Sequence, residues 1–375
     1  MSNTIVAGGG GSDFLTLRQV SASGDQAAIG GTLAEAAQQT YGWRPIPADR
    51  RKELARRRWF QLNWPQHHER MRGAATALGL DFDAAEYYVD GLSPVPGGSA
   101  CSATHVPPNQ TEEGRGLLAR NYDFFTTSQA ELFAMMTGAQ VPPSTDPPMA
   151  SRPTLVHSRP VDGPATLVLT MDTLDGCMDG INEHGLAVVL LIADAENATA
   201  PVDEGPQVGV NSVQLPRFLL DTCRTAEEAR AALLHAKQYD MGTPLHYLVA
   251  DAGGDAFVWE RGPGGNEHIT DGDGALCVTN HLLHRHPSAE NLPEDNVETL
   301  FTFQRYQQLT KSTGATMSAD SLRAALADIG FDASSPTDYP IRTLWRTVFD
   351  LGAGTMSAKF YLADGRYTEE LVFSV

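Results

Sequence analysis

The chain has 375 residues, 42% of them hydrophobic, and a formal net charge of −19. That length fits one large or two ordinary domains and buries enough surface for a core without disulfide staples. The charge argues against nucleic acid, whose phosphates demand lysine and arginine, and no stretch approaches the roughly 18 apolar residues needed to span a bilayer. The start, Met1-Ser2-Asn3-Thr4, lacks the basic, apolar and small-residue regions of a secretory signal. A soluble cytoplasmic protein is expected, with no membrane or nucleic-acid partner and with a homo-oligomer left open.

The charge is unevenly spread. Residues 1–100 carry ten basic and ten acidic side chains, whereas 101–375 carry 17 and 36, so the whole excess lies beyond residue 100. In the first part, Gly24 to Tyr41 and Pro47 to Met71 read as helices, the second carrying the basic run Arg50 to Arg58 as a solvated or docking face. Pro65 should kink or end that helix, because it lacks an amide donor and clashes with the preceding turn. A further short helix is expected around Phe82 to Val89. The run Leu92 to Ala100, dense in proline, glycine and serine, then reads as an exposed loop of the kind that tolerates cleavage.

Beyond residue 100 the pattern turns to strands: 165–172, 185–194, 245–251, 256–260, 275–280, 356–363 and 367–375. Gly253-Gly254 and Asp364-Gly365 mark hairpin turns. Helices are expected after the capping box at Thr225, over Leu300 to Leu309 and over Ser318 to Ile329. Gly138 to Pro164 holds seven prolines and reads as a long loop, barred from helix and from central strand, either a cover over a substrate site or a mobile insertion. The fold class is α+β, with antiparallel sheets and separate helices. No phosphate-binding glycine motif supports a nucleotide, and no cofactor is expected.

Four cysteines are present, without C-x-x-C pairing or zinc spacing. Cys177, Cys223 and Cys277 lie in or beside apolar runs and read as small buried hydrophobes. Cys101, in Gly98-Ser99-Ala100-Cys101-Ser102-Ala103, does not. If the bond between Ala100 and Cys101 is cut, the new terminus carries a thiol nucleophile beside its own amine, with ordinary pKa values near ~8.5 and ~7.7 to 8.0. Such a residue can open an amide through a thioester. It needs donors for the oxyanion, a carboxylate to orient the amine and a cation near the thiolate.

These features resemble a known family. Cys101-Ser102-Ala103, the run from Gly116 through Arg120-Asn121-Tyr122-Asp123-Phe124, the run Gly180 to Val188, Val278-Thr279-Asn280-His281 and the early Gly24-Asp25-Gln26-Ala27-Ala28-Ile29-Gly30 are similar to motifs of the N-terminal-nucleophile hydrolases. That group spans choloylglycine hydrolases, penicillin V acylases and acid ceramidases. The long first segment is most similar to the acyl-coenzyme A:isopenicillin N acyltransferase branch, the linear-amide hydrolases akin to peptidase C45. The resemblance implies a four-layer αββα sandwich over 101–375, preceded by a mostly helical pro-segment, 1–100, that stays associated after self-cleavage between Ala100 and Cys101.

It further implies Cys101 as nucleophile, Arg120 beside the thiol, Asp123 holding the new amine and Asn280 donating to the oxyanion. Relatives also use a late arginine, for which Arg342 or Arg346 stands ready, and a second oxyanion donor. Asn182 is either a further contributor or a hairpin-turn residue. The implied activity is hydrolysis or transfer of an acyl group at a linear amide, on a small-molecule acyl-amide or an acyl donor with an amine acceptor. Two other readings remain open: an uncleaved, non-catalytic binding protein of the same fold, and a metal-dependent hydrolase using His281, His284 and His286 with His184, although their spacing matches no zinc signature.

Overall fold

The computed structural model describes residues 2–90, 100–138, 140, 145–171, 176–193, 208–239, 244–261, 266–296 and 298–375. The first hundred residues supply strands β1 (Ser2–Gly8) and β2 (Thr16–Gly24), helix α1 (Gln26–Tyr41), the short strand β3 (Ile46–Pro47), helices α2 (Arg50–Asn63) and α3 (Pro65–Ala77), and the short strand β4 (Tyr87–Tyr88). Asp25 caps α1 by accepting from Ala28 N at 2.7 Å, and Gly42 ends it in the left-handed region. Pro65 opens α3 rather than kinking one long helix, since a first-turn proline sacrifices no internal bond. Helices α1 and α3 pack backbone to backbone at two glycines. A β-carbon on Gly30 would lie 1.9 Å from Arg70 O, and one on Gly73 1.8 Å from Ala27 O.

The chain continues through β5 (Ala100–Val106), β6 (Leu117–Phe125), α4 (Gln129–Thr137), β7 (Thr154–Pro160), β8 (Thr166–Thr170), β9 (Asp179–Asn182) and β10 (Ala187–Ile192). Next come β11 (Val210–Asn211), α5 (Leu215–Thr222), α6 (Ala226–His235), β12 (Gln238–Tyr239), β13 (Leu245–Ala250), β14 (Ala256–Arg261), β15 (Glu267–Asp271) and β16 (Leu276–Val278). The last part is α7 (Thr302–Ser312), α8 (Ala319–Asp328), β17 (Ile341–Asp350), β18 (Thr355–Ala363), β19 (Arg366–Tyr367) and β20 (Leu371–Ser374).

Two large sheets result. One has the order β1-β2-β7-β8-β9-β10-β13-β14-β15, the other β16-β5-β6-β17-β18-β19 with β20 also on β18. They face each other through β5, β10 and β13, while α1, α5 and α6 cover the outside of the first sheet and α7 and α8 that of the second. This is the expected αββα layering, and it explains why every residue of β5 and β6 is buried: both faces of a central strand are covered.

Three expectations need correction. The segment Gly138 to Pro164 contains a central strand, β7, which fits between Pro153 and its own last residue, Pro160, with no proline inside; residues 139 and 141–144 of it lie outside the described residues. The sheets are not wholly antiparallel, because β2 and β7 pair in parallel from Arg18↔Thr154 to Gly24↔Pro160. The first hundred residues therefore contribute two strands to the sandwich besides their helices. Finally, Phe82 to Val89 is a turn and a short strand rather than a helix. The Arg57 guanidinium takes the carbonyls of Phe82 and Tyr87, and Ala85 adopts a φ of 53° that a helix cannot contain.

Candidate active site

Strand alternation builds the site. In β6, Arg120 and Tyr122 point toward the other sheet, where Arg120 Nη1 donates to Met178 O at 3.0 Å and to Asp179 Oδ1 at 2.5 Å. Asn121 and Asp123 point to the helix side, where Asn121 Nδ2 donates to Leu326 O of α8. The β5 and β6 register sets Cys101 opposite Tyr122 and Ala100 opposite Asp123. The Cys101 thiol thus shares the inner face with Arg120, whose Nη2 donates to Sγ at 3.2 Å. Asp123 lies on the opposite face, beside the point where the chain enters Cys101.

Asn280 arrives by register too. Strand β16 pairs with β5 through Val278↔Ala103, and continuing that antiparallel pairing by two residues brings Asn280 opposite Cys101. Its Oδ1 accepts the Cys101 amide N–H at 2.9 Å, and its Nδ2 donates to Ile192 O, at the end of β10, at 2.8 Å. The expected donor to an oxyanion is here first an acceptor for the backbone nitrogen of the nucleophile. The second Nδ2 hydrogen has no partner among the described residues.

A residue that the sequence reading missed completes the group. Arg305 of α7 donates from Nη1 to Cys101 O at 2.6 Å and to Ser102 Oγ at 2.8 Å, and from Nη2 to Asn280 Oδ1 at 2.7 Å. Leu300 and Phe301, with φ of 50° and 58°, turn the chain into α7, and Arg305 Nε holds Leu300 O. The signal in the sequence was an arginine on the buried stripe of that helix, with Thr302, Tyr306 and Leu309.

The electrostatics follow from burial. Burial pushes the Cys101 thiol above its usual value, and Arg120 pulls against it. Arg120 is itself fully buried, yet Asp179 and the sulfur keep it firmly charged. Burial raises Asp123 to about 6, against Arg305, the Thr343 hydroxyl at 2.5 Å and Arg346. Its other carboxylate oxygen, Oδ2, is buried without a partner among the described residues.

The remaining expected residues lie elsewhere. Arg342 is paired to Asp364 at 2.7 Å and bonds the Ile341 carbonyl, and Arg346 bonds Asn121; of the arginines late in the chain, Arg305 is the one seen to bond Cys101, beside Arg120. Asn182 is a turn residue: its side chain accepts from His184 N and Leu186 N and donates to Leu220 O and Cys223 O. His184 lies in that same turn. His281 packs on His286, Phe303 and Tyr306, whereas His284 stacks on His268 and faces Glu260, so the four histidines do not form one cluster. Among the described residues, no three His, Cys, Asp or Glu side chains are arranged to hold a metal ion. Cys177, Cys223 and Cys277 are buried free thiols. The segment 91–99 before Cys101 lies outside the described residues, and no helix among those described is long and apolar enough to cross a membrane.

Residues 110–362 match the acyl-coenzyme A:6-aminopenicillanic acid acyl-transferase family. The chain belongs to this family. The match takes in Arg120, Asp123, Asn280 and Arg305 and begins after Cys101, so the nucleophile rests on its own geometry. Several solved structures are also similar. A penicillin V acylase from Agrobacterium tumefaciens is 16% identical, covering 70% of this chain and 84% of that one with a TM-score of 0.48. A mutant conjugated bile acid hydrolase from Clostridium perfringens is 16% identical, with coverage of 73% and 97% and a TM-score of 0.46. The Caenorhabditis elegans ortholog of N-acylethanolamine-hydrolyzing acid amidase is 15% identical, with coverage of 67% and 93% and a TM-score of 0.40. No curated protein matches the sequence.

Proposed function

We propose that this chain is an amide-processing enzyme, a hydrolase or acyltransferase of linear amides, whose nucleophile is Cys101 released by self-cleavage after Ala100. The observation that carries the reading is the convergence on one residue: Arg120 on its sulfur, Asn280 on its nitrogen and Arg305 on its carbonyl oxygen. Any buried amide needs an acceptor, but a structural cysteine has no use for a cation on its sulfur.

In the processing step, Sγ attacks the Ala100 carbonyl, the Ala100–Cys101 C–N bond breaks as the nitrogen takes a proton, and water hydrolyses the resulting thioester. The free α-amine then carries two hydrogens, one more than the peptide nitrogen did. Asn280 Oδ1 already accepts one N–H, and the unpartnered Asp123 Oδ2 suits a second. In turnover, the amine accepts the thiol proton as Sγ attacks the acyl carbonyl, and the amine product leaves with that proton. The acyl thioester then passes to water or to an acceptor amine. The unused Asn280 N–H suits the oxyanion, and Arg120 suits the thiolate.

Intact-mass analysis tests this reading. Wild-type protein should give fragments meeting at Ala100 and Cys101 and should cleave members of a panel of acyl amides, while Cys101→Ala stays one inactive chain. A full-length wild-type mass with amide cleavage intact would overturn the processing step. Activity that survives Cys101→Ala would overturn the nucleophile.

A further inference from the structure

A second charged group lies behind Asn280 and is used by nothing described so far. His246 of β13 and Glu260 of β14 are directly opposite each other in their hairpin, and both are fully buried. His246 Nδ1 lies 3.0 Å from Glu260 Oε1, and Nε2 lies 2.6 Å from the carbonyl oxygen of Thr279, the residue before Asn280. The same carboxylate accepts the amides of Leu283 at 2.7 Å and His284 at 2.8 Å and faces His284 Nδ1 at 3.0 Å. One ion pair of the first sheet thus holds both ends of the segment 279–284, which carries Asn280 out of the second sheet.

We propose that His246, anchored by Glu260, is a positioning residue that fixes Asn280 against Cys101 through the Thr279 carbonyl. The direction of both bonds follows from the partners. A carbonyl oxygen can only accept, and Glu260, accepting two backbone amides, is held as a carboxylate, so both ring nitrogens of His246 must donate. The donors around Glu260 hold it at about 2 in spite of its burial. Asn280 is otherwise fixed by Thr302 Oγ1 on its amide nitrogen and by Ile192 O and Arg305 on its side chain, and the Thr279 hydroxyl is tied to Thr302, so the Thr279 carbonyl is the handle on this backbone that the first sheet supplies. A misplacement of about 1 Å at a catalytic group costs on the order of 10²-fold in rate.

This inference rests on the proposed role of Asn280, and the experiment separates the two. Asparagine at 246 keeps a donor near the Nδ1 position, toward Glu260, whereas glutamine keeps one near Nε2, toward Thr279. Wild type, His246→Gln, His246→Asn, Asn280→Ala and the His246→Asn/Asn280→Ala double variant are compared as full chains for processing rate, kcat and KM. The expected result is a fall of roughly 10²-fold in kcat for His246→Asn with KM little changed, a smaller fall for His246→Gln, and no further loss on adding His246→Asn to Asn280→Ala. A purely structural ion pair would favour asparagine over glutamine. Equal activity of all His246 variants, or the reverse order, overturns the inference.

Should the variants fail to fold, nitrogen-15 NMR of wild-type protein decides: a hydrogen-bonded Nε2–H on His246 supports the grip, and an Nε2 without a proton overturns it. If wild type neither self-cleaves nor acts on any acyl amide, the reading of Asn280 fails, and the NMR signature still decides whether the grip exists.

Discussion

Arg120 joins Asp179 at 2.5 Å on one terminal nitrogen and Cys101 Sγ at 3.2 Å on the other, all three fully buried. Asp179 is therefore what permits a cation to exist beside the thiol. It also accepts the indole N–H of Trp345 at 2.6 Å, so the pair is fixed from both sheets. Asp179→Asn leaves the arginine uncompensated, and breaking one half of a buried pair is expected to cost about 3–5 kcal/mol. Urea unfolding of the uncleavable Cys101→Ala chain measures that loss, and slower processing in the Cys101 background measures its chemical consequence.

Asp123 gives a pH dependence whose sign can be worked out. Its folded carboxyl binds a proton up to about pH 6, while the unfolded value is 3.8. Between these the folded state holds more protons, so this group makes stability fall as pH rises from about 4 to 6 and remains unfavourable above. In the Cys101→Ala chain, Asp123→Asn should flatten that fall, by about 3 kcal/mol for a shift of this size. Unfolding midpoints at pH 4, 5, 6 and 7 provide the check; parallel curves for the two chains would refute it. Under the proposed self-cleavage, a cationic amine would give the carboxylate a partner, and its titration should move below 6.

Much of the site was legible because it lies on a few strands. Arg120 and Asp123 are three apart in one motif, and Asn280 lies in another. Arg305 was not, because its contact with Cys101 spans 204 residues and depends on where α7 docks. The proline-rich segment was misread because the number of prolines was weighed rather than their placement: Pro153 and Pro160 delimit β7 and do not interrupt it. Strands β1 and β2 escaped notice because the parallel partner of β2 lies far along the chain, where short-range alternation carries no information.

The first hundred residues should remain bound after cleavage. They contribute the β2 and β7 ladder and two buried polar clusters on α5 and the residues before it. In one, Asp90 is held by Arg56, His67 and Gln214; in the other, Asp221 accepts from Trp64 at 2.9 Å, from Arg70 at 2.5 Å and from Arg217 at 3.1 Å. Size-exclusion chromatography of processed protein should give one peak holding both fragments, separating only in denaturant. Asp221→Ala strands two arginines in the interface and should lower the dissociation midpoint markedly, by about 3–5 kcal/mol. Fragments that separate in plain buffer would contradict the arrangement.

Arg305 offers the most direct test of the convergence on Cys101. Its fork reaches the Cys101 carbonyl, the Ser102 hydroxyl and Asn280 Oδ1 together, a geometry that a single ammonium cannot reproduce. Burial lowers its pKa, but the nearby Asp123 and Cys101 favour its charged form. Arg305→Lys keeps the charge and loses the fork, so Asn280 Oδ1 and the Cys101 carbonyl cannot both be held. Processing and turnover should each fall by on the order of 10²-fold, the usual scale for removing one preorganised donor. Arg305→Ala should fall further and also unfold more easily, because Asp123 loses its strongest favourable charge and should titrate above about 6. A time course of intact mass, read beside kcat for an acyl amide, measures both. Equal rates for lysine and arginine would mean that charge alone matters and that the fork positions nothing.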